Sequence, residues 1–66
     1  MFYTIADNGI RHPVKFDSLN NGIIALNERN HVYLIEVVRV IRNGELSTIE
    51  YDRSGEARDV IHNYGI

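Results

Sequence analysis

The longest apolar run of the chain, residues 32–42, ends at Asn43-Gly44, and a second strand-like run follows the turn. Asn-Gly tolerates the positive φ angles of a type I′ turn and is a strong short-range signal for a β-hairpin. The pattern therefore predicts one long hairpin over residues 32–51. A two-residue turn also fixes the register, so that every second side chain lies on the same face.

The two faces of this hairpin are predicted to differ in their surroundings. One face is expected to contribute to the core, through Val38, Val40, Ile49 and Tyr51. The opposite face carries a second apolar set with one arginine inside it. We call this set the outer strip, and its members are Tyr33, Ile35, Val37, Arg39, Ile41 and Leu46. An apolar strip on the far side of a one-sided sheet needs covering. The last helix, a second copy or a different protein are the three candidates.

The N-terminal part repeats the hairpin signal on a smaller scale. Asn8-Gly9 separates two short strand candidates, and a two-residue turn there places Ile5 opposite His12. Pro13 has no N–H and marks an edge or a bulge. The side chains predicted to face the helices are Tyr3, Ile5, Val14 and Phe16. The other face, with Phe2, Thr4, Ala6, Arg11 and Lys15, is predicted to meet solvent.

One helix is predicted after each hairpin. Ser18 is a good N-cap for a helix over residues 19–28, and Asn30 is a reasonable stop. Ser54 is expected to cap a second, short helix that stops at Gly65. The apolar positions of this helix follow helical spacing and are Ala57, Val60, Ile61 and Tyr64.

These elements give an α+β fold in a single domain, residues 1–66. The predicted order is ββαββα, a small antiparallel sheet of two NG-turn hairpins with one or two short helices packed on one face. The two halves align at an offset of 35 residues, which fits either an internal duplication or two independent ββα units. Gly22 either lets the first helix approach the sheet closely or only weakens its first turn.

Chain length and the absence of cysteine bear on how this fold is stabilised. A chain of 66 residues buries a small core and usually needs a further source of stability. Without cysteine, disulfides and thiolate zinc sites are excluded. Association is the simplest remaining source, so we expect a homo-oligomer, most simply a dimer, or a complex with a protein partner.

Charge and hydropathy narrow the class of protein. Seven basic and nine acidic residues give a formal net charge of −2, and neither sign forms a block. This balance disfavours both a general nucleic-acid footprint and an acidic DNA mimic. Glu36 and Arg39 interrupt the longest apolar run, so no membrane span is expected. The N-terminus lacks a basic region and a long apolar segment, which indicates a cytoplasmic protein without a signal peptide.

Candidate chemistry is sparse. His12, His31 and His62 fall in separate elements without metal-ligand spacing, so no metal or cofactor is expected. His12 is predicted to be partly buried and hydrogen-bonded, and the other two histidines to lie on the surface. No serine has a base nearby in sequence, and no glycine-rich phosphate loop occurs. The sequence therefore does not indicate an enzyme.

The predicted function is a small non-enzymatic interaction module, an inhibitor or adaptor of the kind that phages and mobile elements encode. It would act sterically, as a homodimer, through the outer face or the edge of the 32–51 hairpin. Arg39 is either the charged anchor of that interface or an ordinary cross-strand partner of Glu50. The alternative is a nucleic-acid-binding regulator that uses Tyr33, Arg39 and Arg42 for stacking and phosphate contacts.

Overall fold

The computed structural model describes residues 1–64, and the element order is β1 (Phe2–Ile5), α1 (Leu19–Arg29), β2 (Tyr33–Arg42), β3 (Glu45–Asp52) and α2 (Ser54–Tyr64). The strands form one antiparallel sheet in the order β1-β2-β3. The α+β class is confirmed. The order ββαββα is matched only in part, because the second strand of the first hairpin does not form. The predicted stop at Gly65 and the predicted packing of the Tyr64 side chain lie outside the described residues.

The first turn differs from its prediction in length. The Ala6 amide donates to the Ile10 carbonyl, and the Gly9 amide donates back to the Ala6 carbonyl. Gly9 has a φ of 88°, whereas Asn8 is not among the residues with positive φ. This is the pattern of a type I turn followed by a glycine bulge, with three loop residues instead of two.

The longer loop shifts the register. Ile5 bridges Arg11 rather than His12. The returning chain makes only one more isolated bridge, between Phe2 and Phe16. Pro13 lies between the two bridges and has no N–H to donate, which is consistent with the break in pairing predicted there.

The two faces of β1 are therefore reversed relative to the prediction. Phe2 and Thr4 share the face of the fully buried Leu34, and Thr4 lies directly opposite it. Tyr3 and Ile5 point to the other side of the sheet, so their assignment to the helix-facing set was wrong. A register slip of one residue transfers every side chain of a strand to the opposite face.

Helix α1 begins and ends as predicted, to within one residue. The Ser18 hydroxyl accepts a hydrogen bond from the Asn21 amide at 3.2 Å, and Asn30 ends the helix with a φ of 56°. Gly22 lets α1 approach the sheet closely, which is one of the two roles considered for it from the sequence. A Cβ added there would lie 2.9 Å from Cδ1 of Leu34.

Helix α2 is capped by a different residue from the one predicted. The Ser54 amide donates to Oδ1 of Asp52 at 2.8 Å, so Asp52 caps the helix. The Ser54 hydroxyl is buried and instead accepts a hydrogen bond from the Leu34 amide at 3.0 Å. Hydrogen bonds from the Ser54 side chain and then from its backbone hold the pKa of Asp52 below its usual range. One serine thus joins the start of α2 to the central strand.

The core lies at one end of the sheet, where both helices pack on the same face. Its buried apolar members are Phe2, Ile23, Leu26, Leu34 and Ala57, with Phe16, Leu19, Val60 and Ile61 packed against them. Contributions from α1, α2, β1 and β2 meet there. Val14, predicted to point inward, is largely exposed.

The predicted core side chains of the long hairpin do not belong to this cluster. Val38, Val40, Ile49 and Tyr51 lie on the face of Leu34, as predicted, but the first three are half-buried and Tyr51 is exposed. Their assignment to the core was wrong because the hairpin extends past the helices. The molecule is accordingly elongated, with principal extents of 43 × 24 × 16 Å.

Candidate interaction surface

The hairpin of β2 and β3 has the predicted geometry. Its register runs from Arg42 opposite Glu45 to Glu36 opposite Tyr51, and beyond. Asn43 and Gly44 both have positive φ, 51° and 79°, which confirms the type I′ turn. The regular pairing of β1 with β2 ends at Glu36. Residues 38–49, which we call the arm, therefore form a two-stranded ribbon, and such a ribbon is marginally stable in water by itself.

The outer strip is most exposed on the arm. Ile41 is 75% exposed and Leu46, directly opposite it, is 69% exposed. Tyr33 is 42% exposed, Ile35 and Val37 are half-buried, and Arg39 is exposed. Helix α2 packs with α1 on the opposite face of the sheet, so it does not cover the strip. Of the three candidates for covering it, a second copy and a different protein remain.

Nearer the core, the same face is covered by the N-terminal segment. The Tyr3 hydroxyl donates to Oε2 of Glu50 at 2.9 Å, and the Arg11 guanidinium lies 4.5 Å from the centre of the Tyr3 ring. Burial and the hydrogen bond to Glu50 raise the pKa of Tyr3. Tyr3 is consequently buried although it points away from the helices. On this face the N-terminal segment covers the region around Tyr3, while Tyr33 at one end and the arm at the other end stay exposed.

Arg39 does not form the predicted pair with Glu50. The ion pairs among the described residues join Arg53 to Glu36 at 2.9 Å and to Glu56 at 3.0 Å. Glu50 instead accepts the hydrogen bond from Tyr3. The Arg39 guanidinium, in the middle of the outer strip, therefore has no acidic partner among residues 1–64.

Apolar side chains occupy both faces of the arm. Val38, Val40 and Ile49 lie on one face, and Ile41 and Leu46 on the other. The sequence predicted both apolar sets, but it assigned the first three to the core, and the structure places them outside the core cluster. Arg42 lies on the face of Val38 and Val40. It therefore does not share a surface with Tyr33 and Arg39, the other two residues of the nucleic-acid alternative.

The fold brings together two histidines that the sequence places far apart. The rings of His12 and His31 are 6.1 Å apart between centroids. Nδ1 of His31 lies 2.8 Å from the Thr4 hydroxyl, which also accepts a hydrogen bond from Arg29 at 3.0 Å. Nδ1 of His12 accepts one from the Val14 amide at 3.2 Å. In the described chain no three metal-ligating side chains converge, and the Arg29 charge makes this pair unfavourable for a cation.

The histidine pair predicts a pH dependence of stability. Desolvation, followed by the charges of Arg29 and His31, lowers the pKa of His12. The folded state therefore binds a proton at this site less readily than the unfolded state does, so stability is lost as the pH falls through about 6.5. We expect the urea midpoint to drop between about pH 7.5 and about pH 5.5. The drop should be smaller in His12→Asn, whose side-chain oxygen can accept from the Val14 amide.

His62→Asn provides the matched control, because His62 is exposed on α2. We expect this variant to keep the full drop in urea midpoint. An equal drop in His12→Asn and in the unaltered protein would show that His12 is not its source.

Comparison of the chain with protein-family models, with curated proteins and with solved structures finds no match. Over residues 1–64, neither helix is long and apolar enough to cross a membrane.

Proposed function

We propose that the protein is a small non-enzymatic interaction module, an inhibitor or adaptor of the phage or mobile-element type, that works in the cytoplasm as a homodimer. It acts sterically through the outer face or edge of the 32–51 hairpin. The observation that carries the proposal is the arm, which extends past the helices with Ile41 and Leu46 largely exposed. Contiguous exposed apolar patches are typical of protein interfaces.

Burial of Ile41 and Leu46 alone is not sufficient to stabilise a dimer. Fully burying an Ile or Leu side chain contributes about 1.5 to 3 kcal/mol, so Ile41 and Leu46 from two copies supply at most about 12 kcal/mol. Association costs on the order of 4 to 15 kcal/mol in lost freedom of motion. The dimer therefore has to include Tyr33, Ile35 and Val37 of the outer strip as well, and its affinity is expected to be moderate.

Arg39 gives this surface its specificity. Interface cores are poor in charged residues, but arginine is enriched there because its planar group forms several directed hydrogen bonds. Arg39 lies between Val37 and Ile41 on the same face and has no acidic partner among the described residues. A partner surface has to offer it a carboxylate.

Sedimentation equilibrium tests the dimer. The unaltered protein is expected to sediment with twice the chain mass at high concentration, and Ile41→Glu with the mass of one chain, because the new carboxylate would be buried at the contact. Ile10→Glu is the matched control, since Ile10 is 64% exposed and directly follows the first loop, away from the arm. It should behave as the unaltered protein does.

Circular dichroism of each variant checks that the fold is retained. A dimer that persists in folded Ile41→Glu over the whole concentration range would contradict the proposal. A single-chain mass for the unaltered protein at about 1 mM would contradict its homodimer part.

A further inference from the structure

The edge of β2 that faces β1 is only partly paired. The Val37 amide donates to the Met1 carbonyl at 2.6 Å, and the Met1 amino group donates to the Val37 carbonyl at 3.1 Å. Antiparallel strands direct every second residue's backbone groups to the same side, so Arg39 and Ile41 present their amides and carbonyls along this edge too. No segment of the described chain pairs with them. An unpaired edge of this kind is a template for an added strand.

A groove of about 530 Å³ borders this edge at Val37 and Arg39. Its lining includes Met1, Lys15, Val37, Val38, Arg39 and Thr48. Val37, Arg39 and Thr48 lie on the outer face of the hairpin and Val38 on the opposite face. The groove therefore runs round the edge of β2, where a strand in line with β1 would continue the sheet.

The charges in the groove determine which kind of segment binds there most favourably. Lys15 and Arg39 are exposed and have no ion pair within the described residues. Glu36 also lines the groove, but Arg53 binds its carboxylate at 2.9 Å. The available charge is therefore positive, and it favours a segment that carries carboxylates.

A second copy fits this edge poorly. Symmetric pairing of two such edges would bring the Arg39 guanidinium groups of both copies onto neighbouring strands of the same face. Like charges on neighbouring strands are destabilising. The outer strip remains the better surface for a second copy, because its apolar members can meet their counterparts there.

We infer that the Arg39–Ile41 edge binds an extended, acidic segment of another protein by strand addition. A carboxylate lies opposite Arg39 on the outer face, and β-branched side chains lie opposite Val38 and Val40 on the other face. The inference deepens and rests on the proposed function, since it names the partner chemistry at one edge of the same hairpin. A dimer with one such edge per copy would join two partner segments, as an adaptor does.

Peptide titration followed by amide NMR tests this inference. The probe is a capped seven-residue peptide that alternates valine and glutamate, and the control replaces every glutamate by lysine. The glutamate peptide is expected to bind at least about tenfold more tightly and to slow the exchange of the Arg39 and Ile41 amide hydrogens. Arg39→Glu should reverse the preference between the two peptides while leaving the fold unchanged.

Three outcomes would overturn the inference. The first is equal binding of the two peptides, and the second is slowed amide exchange at the outer edge of β3 instead of at Arg39 and Ile41. The third is slowed exchange of the Arg39 and Ile41 amides that increases with protein concentration when no peptide is present. The last result would assign the edge to a second copy. Each is distinguishable from failure of the proposed function, because loss of the dimer in Ile41→Glu is measured separately by sedimentation.

Discussion

Leu34→Ala is expected to unfold most of the protein at room temperature. Leu34 is fully buried, belongs to the core cluster and contacts α1 at Gly22. Truncating such a side chain costs about 2 to 5 kcal/mol, and the core of a chain this short supplies only about 3 to 5 kcal/mol. Urea unfolding followed by circular dichroism measures the loss.

Leu46→Ala makes the same chemical change at an exposed position. Leu46 is 69% exposed on the arm, so its truncation should change the free energy of unfolding of the single chain by less than about 0.5 kcal/mol. Comparable losses in the two variants at low protein concentration would show that the core extends into the arm, contrary to the packing described above.

Ser54→Ala is expected to cost about 1 to 3 kcal/mol, because it leaves the Leu34 amide buried without an acceptor. The same change removes the side-chain hydrogen bond that does most to lower the pKa of Asp52. That pKa should therefore rise toward its ordinary value. Chemical unfolding gives the first quantity, and an NMR titration of the Asp52 carboxyl gives the second.

Ser47→Ala is the matched control for this change. Ser47 is half-buried in β3, and no hydrogen bond of its side chain occurs among those of the described residues. We expect little change in stability. If Ser54→Ala were as stable as Ser47→Ala, the link between α2 and the central strand would not contribute to the fold.

The long hairpin could be predicted in detail because its information is local. Asn43-Gly44 sets the turn type, the turn type sets the register, and the register sets which side chains share a face. The membership of the outer strip follows from that sequence of steps. Its role as an interface is a proposal, and the exposure of Ile41 and Leu46 supports it.

The first hairpin shows the limit of the same signal. Asn-Gly fits a two-residue type I′ loop, but glycine also fits the third position of a type I turn with a bulge. Asp7, Asn8 and Gly9 adopt the second arrangement. The dipeptide located the turn correctly without determining the loop length, and the difference of one residue reversed the faces of β1.

The lengths of the predicted elements also indicate that the helices leave part of the long hairpin uncovered. An 11-residue helix such as α1 spans about 16 Å, whereas a 10-residue strand such as β2 spans about 33 Å. Helices of this length cannot cover the whole strand. The pairs Tyr3–Glu50 and His12–His31 gave no such signal, because long-range packing creates them.

The most direct test of the outer strip as the interaction surface is a series of amide NMR spectra of the unaltered protein, from about 50 μM to about 1 mM. Signals of Tyr33, Val37, Ile41 and Leu46 are expected to shift or broaden as the concentration rises. Signals from exposed positions of α1, such as Glu28, should stay unchanged. Changes confined to the helices, or no change at all over this range, would show that the outer strip is not a surface of self-association.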